Sequence, residues 1–160
     1  MHRRPPPDLA MVQRLRNAGL QPTRQRLAVA AVILAKPTHL TADEVLKLLL
    51  ALSSHAPAAI KKEVSGAGCG ASGLTPISRA TVYATLAQFA RAGLLRELHT
   101  GGGAVVYDSN PTLHPHWMDV DSGQVHDLPP EVTLRVDGLD QLPTGLQIED
   151  VQLMLRVRRA

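Results

Sequence analysis

His114 and His116 flank Pro115. In an extended segment, residues two apart project to the same side, so both imidazoles can meet one ion. Asp108 lies shortly before them and offers a carboxylate to the same region. Two imidazoles and a carboxylate suit Fe(II), Zn, Mn or Co without resolving among them. His39 follows Pro37 and completes the set if the segment carrying it packs against the pair. Spacing thus offers Asp108, His114 and His116 as candidate metal ligands and leaves His39 dependent on that packing. A hydrolytic reading of the same residues needs an open coordination position and a positioned base or nucleophile. No motif supplies one, so an enzyme is not expected.

A second group of residues has the chemistry of DNA recognition. Ser78, Arg79, Thr81, Tyr83 and Thr85 fall near the start of a predicted helix, Arg79 to Ala92. Small and hydrogen-bonding side chains near a helix N-terminus suit entry into the major groove. Arg79 can pair with a phosphate or a guanine, Thr81 with a thymine methyl, and Tyr83 offers a ring and a hydroxyl. Arg14, Arg16, Arg24 and Arg26 add positive charge on earlier helices, where phosphates would run.

These groups need elements to hold them. Asp8 can cap a first helix that Gly19 ends. Thr23 opens a second, with Leu27, Ala31 and Leu34 on one face and Pro37 as its stop. Thr41 and Glu44 form a capping box for a third, whose buried stripe is expected to be Val45, Leu48, Leu49 and Leu52. Residues 53–76 are Gly-rich and read as a flexible insertion, with Cys69 an incidental thiol within it. Ser78 caps the fourth helix, with Val82, Leu86, Phe89 and Ala90 inward and Arg79, Thr81, Ala84, Thr85 and Gln88 on the other faces. A strand at 94–98, a Gly-rich turn and a returning strand at 104–108 complete a hairpin. After Asn110-Pro111, a strand pair is expected around Asp121-Ser122-Gly123. Residues 131–145 are open to strand or helix, and 146–157 read as a final strand.

The order of elements is that of an α+β protein: an N-terminal winged helix-turn-helix domain, residues 1–108, followed by a small α/β domain, residues 109–160. Charge divides at a similar place. Residues 1–100 hold 13 Lys/Arg against 5 Asp/Glu, and residues 101–160 hold 4 against 9. A basic part joined to an acidic part fits two modules with different partners, nucleic acid being the partner of the first. Of 160 residues only four are aromatic (two Tyr, one Phe and one Trp), so the core is aliphatic and base stacking on several rings is excluded. The single cysteine excludes an intrachain disulfide and any zinc site with two cysteine ligands. Mean hydropathy is −0.02 and no apolar run approaches the ~18 residues of a membrane span. Met1–Pro7 is basic and Pro-rich without a following apolar region, so no signal peptide is expected and the cytoplasm is the expected location.

An ordered series of segments resembles the ferric uptake regulator (Fur) family. Gly19 to Arg26 resembles "AGLKxTxxR", His39 to Leu46 resembles "HxSAEDLY", and Ser78 to Leu86 resembles the recognition-helix segment "GLATVYRTL". Gly101 to Asp108 with His114 and His116 resembles "EGGxxxFE…HHDH", and Gly145 to Ile148 resembles "GFxI". The resemblance implies a homodimer that binds palindromic operator DNA as a repressor, with a C-terminal dimerisation domain and metal at the hinge. It maps His39, Asp108, His114 and His116 onto the hinge site, with Asp108 in place of the usual Glu. Thr81 and Tyr83 map onto recognition positions, and Arg26 onto a basic position of the DNA module. Asp119 and Ser122 stand where the family's structural zinc site has Cys-x-x-Cys, so that site is expected to be absent. A further family site falls on Leu113, Pro115, about Leu134 and Val151, which offer no side-chain ligand.

The cysteine-poor iron response regulator (Irr) branch is the nearest resemblance within the family. The His-x-His-aromatic start, the Val125 to Leu128 step and the end from Val151 to Arg158 carry it. That branch implies iron control of metal-homeostasis genes and adds haem, with one histidine as an axial ligand, to a divalent metal (Fe(II), Mn or Zn) as the expected cofactor. No Cys-Pro haem motif is present, since Gly70 follows Cys69. The alternative is a DNA-binding regulator without metal control.

Overall fold

The computed structural model describes residues 9–54 and 77–158. Among these residues four helices lead: α1 (Leu9–Asn17), α2 (Arg24–Ile33), α3 (Ala42–Ser54) and α4 (Arg79–Arg91). Strand β1 (His39–Thr41) lies between α2 and α3, and β2 (Arg96–His99) and β3 (Val105–Asp108) follow α4. Then come β4 (His116–Asp119), β5 (Val125–Asp127), a single 3-10 turn at Leu139–Gln141 and β6 (Met154–Val157).

Local chemistry sets the helix limits. Thr23 accepts the Arg26 N–H and opens α2. At α3 the capping box is reciprocal: the Glu44 N–H donates to Thr41 Oγ1 and the Thr41 N–H to Glu44 Oε2. Ser78 accepts the Thr81 N–H at the start of α4. Gly93, with φ +69°, ends α4, where the Leu94 N–H reaches back to the Phe89 carbonyl at 2.9 Å. The expected cap at Asp8, the insertion from residue 55 onward and Cys69 lie outside the described residues. Helix α3 runs to Ser54, two residues into the stretch read as insertion.

The strands form two three-stranded sheets. Sheet A has the order β1-β3-β2 and is antiparallel; sheet B has the order β5-β4-β6, with β4 and β6 parallel. Period-two alternation gives sheet A two different faces. Tyr107 packs on the helical core with Leu15, Val29, Ile33, Val45, Leu86 and Phe89. Val106 and Leu98 point the other way and pack with Met118 and Val125 of sheet B. The two sheets therefore face each other, with a small apolar core at one end of the shared space.

Several packing expectations need correction. Val29, Ala30, Ile33 and Leu34 are buried on α2, whereas Ala31 is exposed. On α3, Val45 and Leu49 are buried, but Leu48 and Leu52 are 44% and 65% exposed. The inward face of α3 is rotated from the expected one: Ala42, Val45 and Leu49 are buried and Leu46 packs against the same core. Residues 131–145 form neither helix nor strand beyond the 3-10 turn; Gly138 (φ +78°), Pro143 and Gly145 (φ +92°) interrupt both. The last strand begins at Met154, and Leu146 and Ile148 are exposed.

Phe89 is fully buried at the centre of the helical core. Phe89→Ala is expected to cost about 3–5 kcal/mol of unfolding free energy, measured by urea denaturation.

Candidate metal centre

The polar end of the space between the sheets is built from two cross-strand pairs. His39 on β1 is opposite Asp108 on β3, and His116 on β4 is opposite Asp127 on β5. Directly opposed residues share a face, so each pair projects into the space between the sheets. His114, just before β4, adds a third imidazole. Five side chains thus converge, and one potential ligand atom from each lies within 4.8 Å of all the others.

The distances are those of donors around a common centre. Asp108 Oδ2 is 3.3 Å from both His114 Nε2 and His116 Nε2, and Asp108 Oδ1 is 3.6 Å from His39 Nε2. Asp127 Oδ1 is 3.0, 2.9 and 3.6 Å from the Nε2 atoms of His39, His114 and His116. Ligands held about 2.0–2.2 Å from one ion lie about 2.8–3.6 Å apart along the edges of a tetrahedron or octahedron. The observed separations match that range.

Hydrogen bonding supports the fit. His114 Nδ1 lies 2.8 Å from the Thr112 carbonyl, which accepts only from an N–H. In the neutral ring this leaves the Nε2 lone pair facing two carboxylates, an arrangement that needs a proton or a cation between them. His39 Nε2 is buried and makes no hydrogen bond, although Asp127 Oδ1 lies 3.0 Å away. Burial lowers the pKa of His39, outweighing the nearby Asp108 and Asp127 charges that raise it. Burial pushes Asp108 upward, but the His116 hydrogen bond, the Asn110 N–H and the adjacent His39 and His114 hold it below its ordinary value. A neutral His39 and an ionised Asp108 are the forms that ligate a metal.

All four expected ligands are brought together, and Asp127 joins them. The turn at Asp121-Ser122-Gly123 sets a register that carries β5 back past β4, so the hairpin itself contained that signal. Asp119 instead organises the turn, its carboxylate accepting the Asp121 and Ser122 N–H groups.

On the helical side, Arg79 is 64% and Tyr83 43% exposed on one face of α4. Thr85 is 5% exposed, on the core side, so its expected outward position is corrected. Its place one turn before Phe89, on the buried face of α4, turns it inward. Ser78 and Thr81 share a 2.9 Å hydrogen bond at the helix cap. Arg24 is exposed, whereas Arg26 clamps α2 to α4 through Gln88 Oε1 and also donates to the Gln21 carbonyl.

The sequence profile of the ferric uptake regulator family matches residues 72–156. A peroxide-responsive repressor, PerR, of Staphylococcus aureus is 31% identical over 113 residues, covering 71% of this chain. The chain spans 62% of the length of that relative. The ferric uptake regulator of Vibrio cholerae is 27% identical with a TM-score of 0.58, covering 92% of this chain and 98% of that one. That of Pseudomonas aeruginosa with manganese is 26% identical with a TM-score of 0.55, covering 92% and 96%.

Two outcomes follow from this geometry. Replacing Asp127 or His114 by Ala lowers Mn(II) affinity at least about tenfold in a chelator-competition titration, while His99→Ala, outside the cluster, leaves it unchanged. A folded state that resists protonating His39 is favoured above pH 6.5, and that stability is lost as pH falls from 6.5 through the lowered folded value. Asp108 adds a second loss, below 3.8. The melting temperature of metal-free protein therefore falls between pH 7 and 5, and His39→Gln makes that slope shallower.

Proposed function

Because the chain belongs to the ferric uptake regulator family, we propose that it is a metal-responsive transcriptional regulator that represses metal-homeostasis genes as a homodimer on palindromic operator DNA. The observation that carries this reading is the five-donor cluster joining two sheets. His39 and Asp108 come from sheet A, His116 and Asp127 from sheet B, and His114 from the segment just before β4. All five would hold one divalent ion, and the mixed nitrogen and oxygen set suits Fe(II), Mn or Zn. When bound, the ion supplies a cross-link between the modules.

Residues 1–108 serve as the winged helix-turn-helix DNA module and residues 109–160 as the dimerisation module. The full donor set exists only while sheets A and B sit face to face. Metal therefore favours that arrangement by its differential affinity, a shift of population that fixes the spacing of the two α4 helices in a dimer. Arg79, Thr81 and Tyr83 meet base edges, with Ser78 shaping the helix entrance and Arg24 and Arg26 lending charge toward phosphates. Exposed apolar side chains in the second module, including Leu113, Val132, Leu155 and Val157, provide surface for a second copy.

Likeness to the iron response regulator branch favours iron as the signal. The crowding of five donors around a single-ion space favours a metal over haem. The expected location is the cytoplasm, and no helix among the described residues is long and apolar enough to cross a membrane.

The test is DNA affinity by fluorescence anisotropy, with Mn(II) and with chelator. Mn(II) is expected to tighten binding to a selected operator at least about tenfold, within the usual span of coupling energies, and His114→Ala to abolish that gain. Equal affinity in both conditions with wild-type protein identifies a regulator without metal control.

A further inference from the structure

One acidic side chain on the proposed DNA face belongs to a different helix. Asp43 lies in the first turn of α3, and its Oδ2 is 2.7 Å from Arg79 Nη2. The Tyr83 hydroxyl donates to Asp43 Oδ1 at 3.3 Å. The Arg79 guanidinium also lies over the Tyr83 ring, 5.7 Å from its centroid. Arg79 and Tyr83 are one turn apart on α4 and so share a face. Each carboxylate oxygen is thus engaged by one of two exposed side chains of that helix.

Neither stability nor affinity accounts for this carboxylate. Arg79 and Asp43 are 64% and 46% exposed, and an exposed ion pair adds little to folding. A negative charge on a surface that meets phosphates weakens binding. What Asp43 supplies is aim. The reciprocal Thr41–Glu44 cap fixes the start of α3 and so fixes Asp43. A guanidinium carries five N–H donors in a planar fork. With one Nη group held by Asp43, the rest of the fork has a set direction for the O6 and N7 acceptors of a guanine. The same carboxylate repels phosphate oxygens and so keeps the arginine from pairing with the DNA backbone instead.

We infer that Asp43 is a positioning residue that aims Arg79 at a guanine in the major groove and thereby sets the sequence preference of this protein. The inference rests on the regulator reading above and extends it to a residue of α3.

The experiment uses the full chain loaded with Mn(II). Duplexes are selected from a random-sequence library, and affinities are then measured for the selected duplex and for versions with each guanine replaced singly. Wild-type protein is expected to discriminate at least about tenfold at one guanine per half-site. Asp43→Ala is expected to reduce that ratio to under about threefold while binding unrelated DNA as tightly as wild type or more so. Arg79→Ala loses the same discrimination, and the double variant is no worse than Arg79→Ala alone. Melting temperatures close to wild type show that the variants fold. Discrimination that survives Asp43→Ala, or losses that simply add in the double variant, overturns the positioning role and leaves the regulator reading standing. Wild-type protein that selects no sequence overturns both.

Discussion

The structure depends on how three imidazoles and two carboxylates are held against one another between two sheets. Asp108 and His116 are each 1% exposed, so neither can rely on bulk water to screen its neighbours. Without a cation, imidazole Nε2 atoms and carboxylate oxygens meet at 2.9–3.6 Å, and each such contact needs a proton on the nitrogen to be favourable. That is a weak arrangement for a purely structural interface and a strong one for an interface meant to respond to an ion. The neighbouring apolar cluster of Leu98, Val106, Met118 and Val125 is small, so the polar end of the same space carries weight in deciding whether the sheets stay together.

Further contacts link the modules away from this cluster. Arg96 on β2 donates to Asp150 and to the Val151 carbonyl. The Gln152 amide both accepts from the His99 N–H and donates to the His99 carbonyl, standing in for a strand partner at the edge of β2. These bonds attach the segment before β6 to the hairpin. They are mostly exposed and polar, so they can reform in another arrangement at modest cost. The buried donor cluster is the part of the interface whose energy changes most with its occupant.

Much of this was legible in the residues. Helix starts at Thr23, Thr41 and Ser78 and ends at Gly19 and Gly93 follow from short-range chemistry, and each occurs as read. The ligand set was partly legible because His114 and His116 are neighbours in sequence. Asp127 was not recognised because its role depends on strand register: one residue of slip would turn it to the other face. Thr85 misled because helical position alone does not say which side of a polar, small-residue helix meets the core. Asp43 escaped notice because its partners are on α4, far along the chain, and only the packing of α3 on α4 brings them together. Residues 131–145 gave no single reading, since Gly138, Pro143 and Gly145 set no single period, and the strand expected from residue 146 begins only at Met154.

The central claim is that one ion is held by side chains from both sheets. Electron spin echo modulation of Mn(II)-loaded protein counts the imidazole nitrogens on the metal. The account predicts three histidines, falling to two when His39 alone is replaced by Gln, since that residue comes from sheet A, His116 from sheet B and His114 from the segment leading into it. Bound Mn(II) whose spectrum shows no imidazole, or one unchanged by His39→Gln, would contradict it.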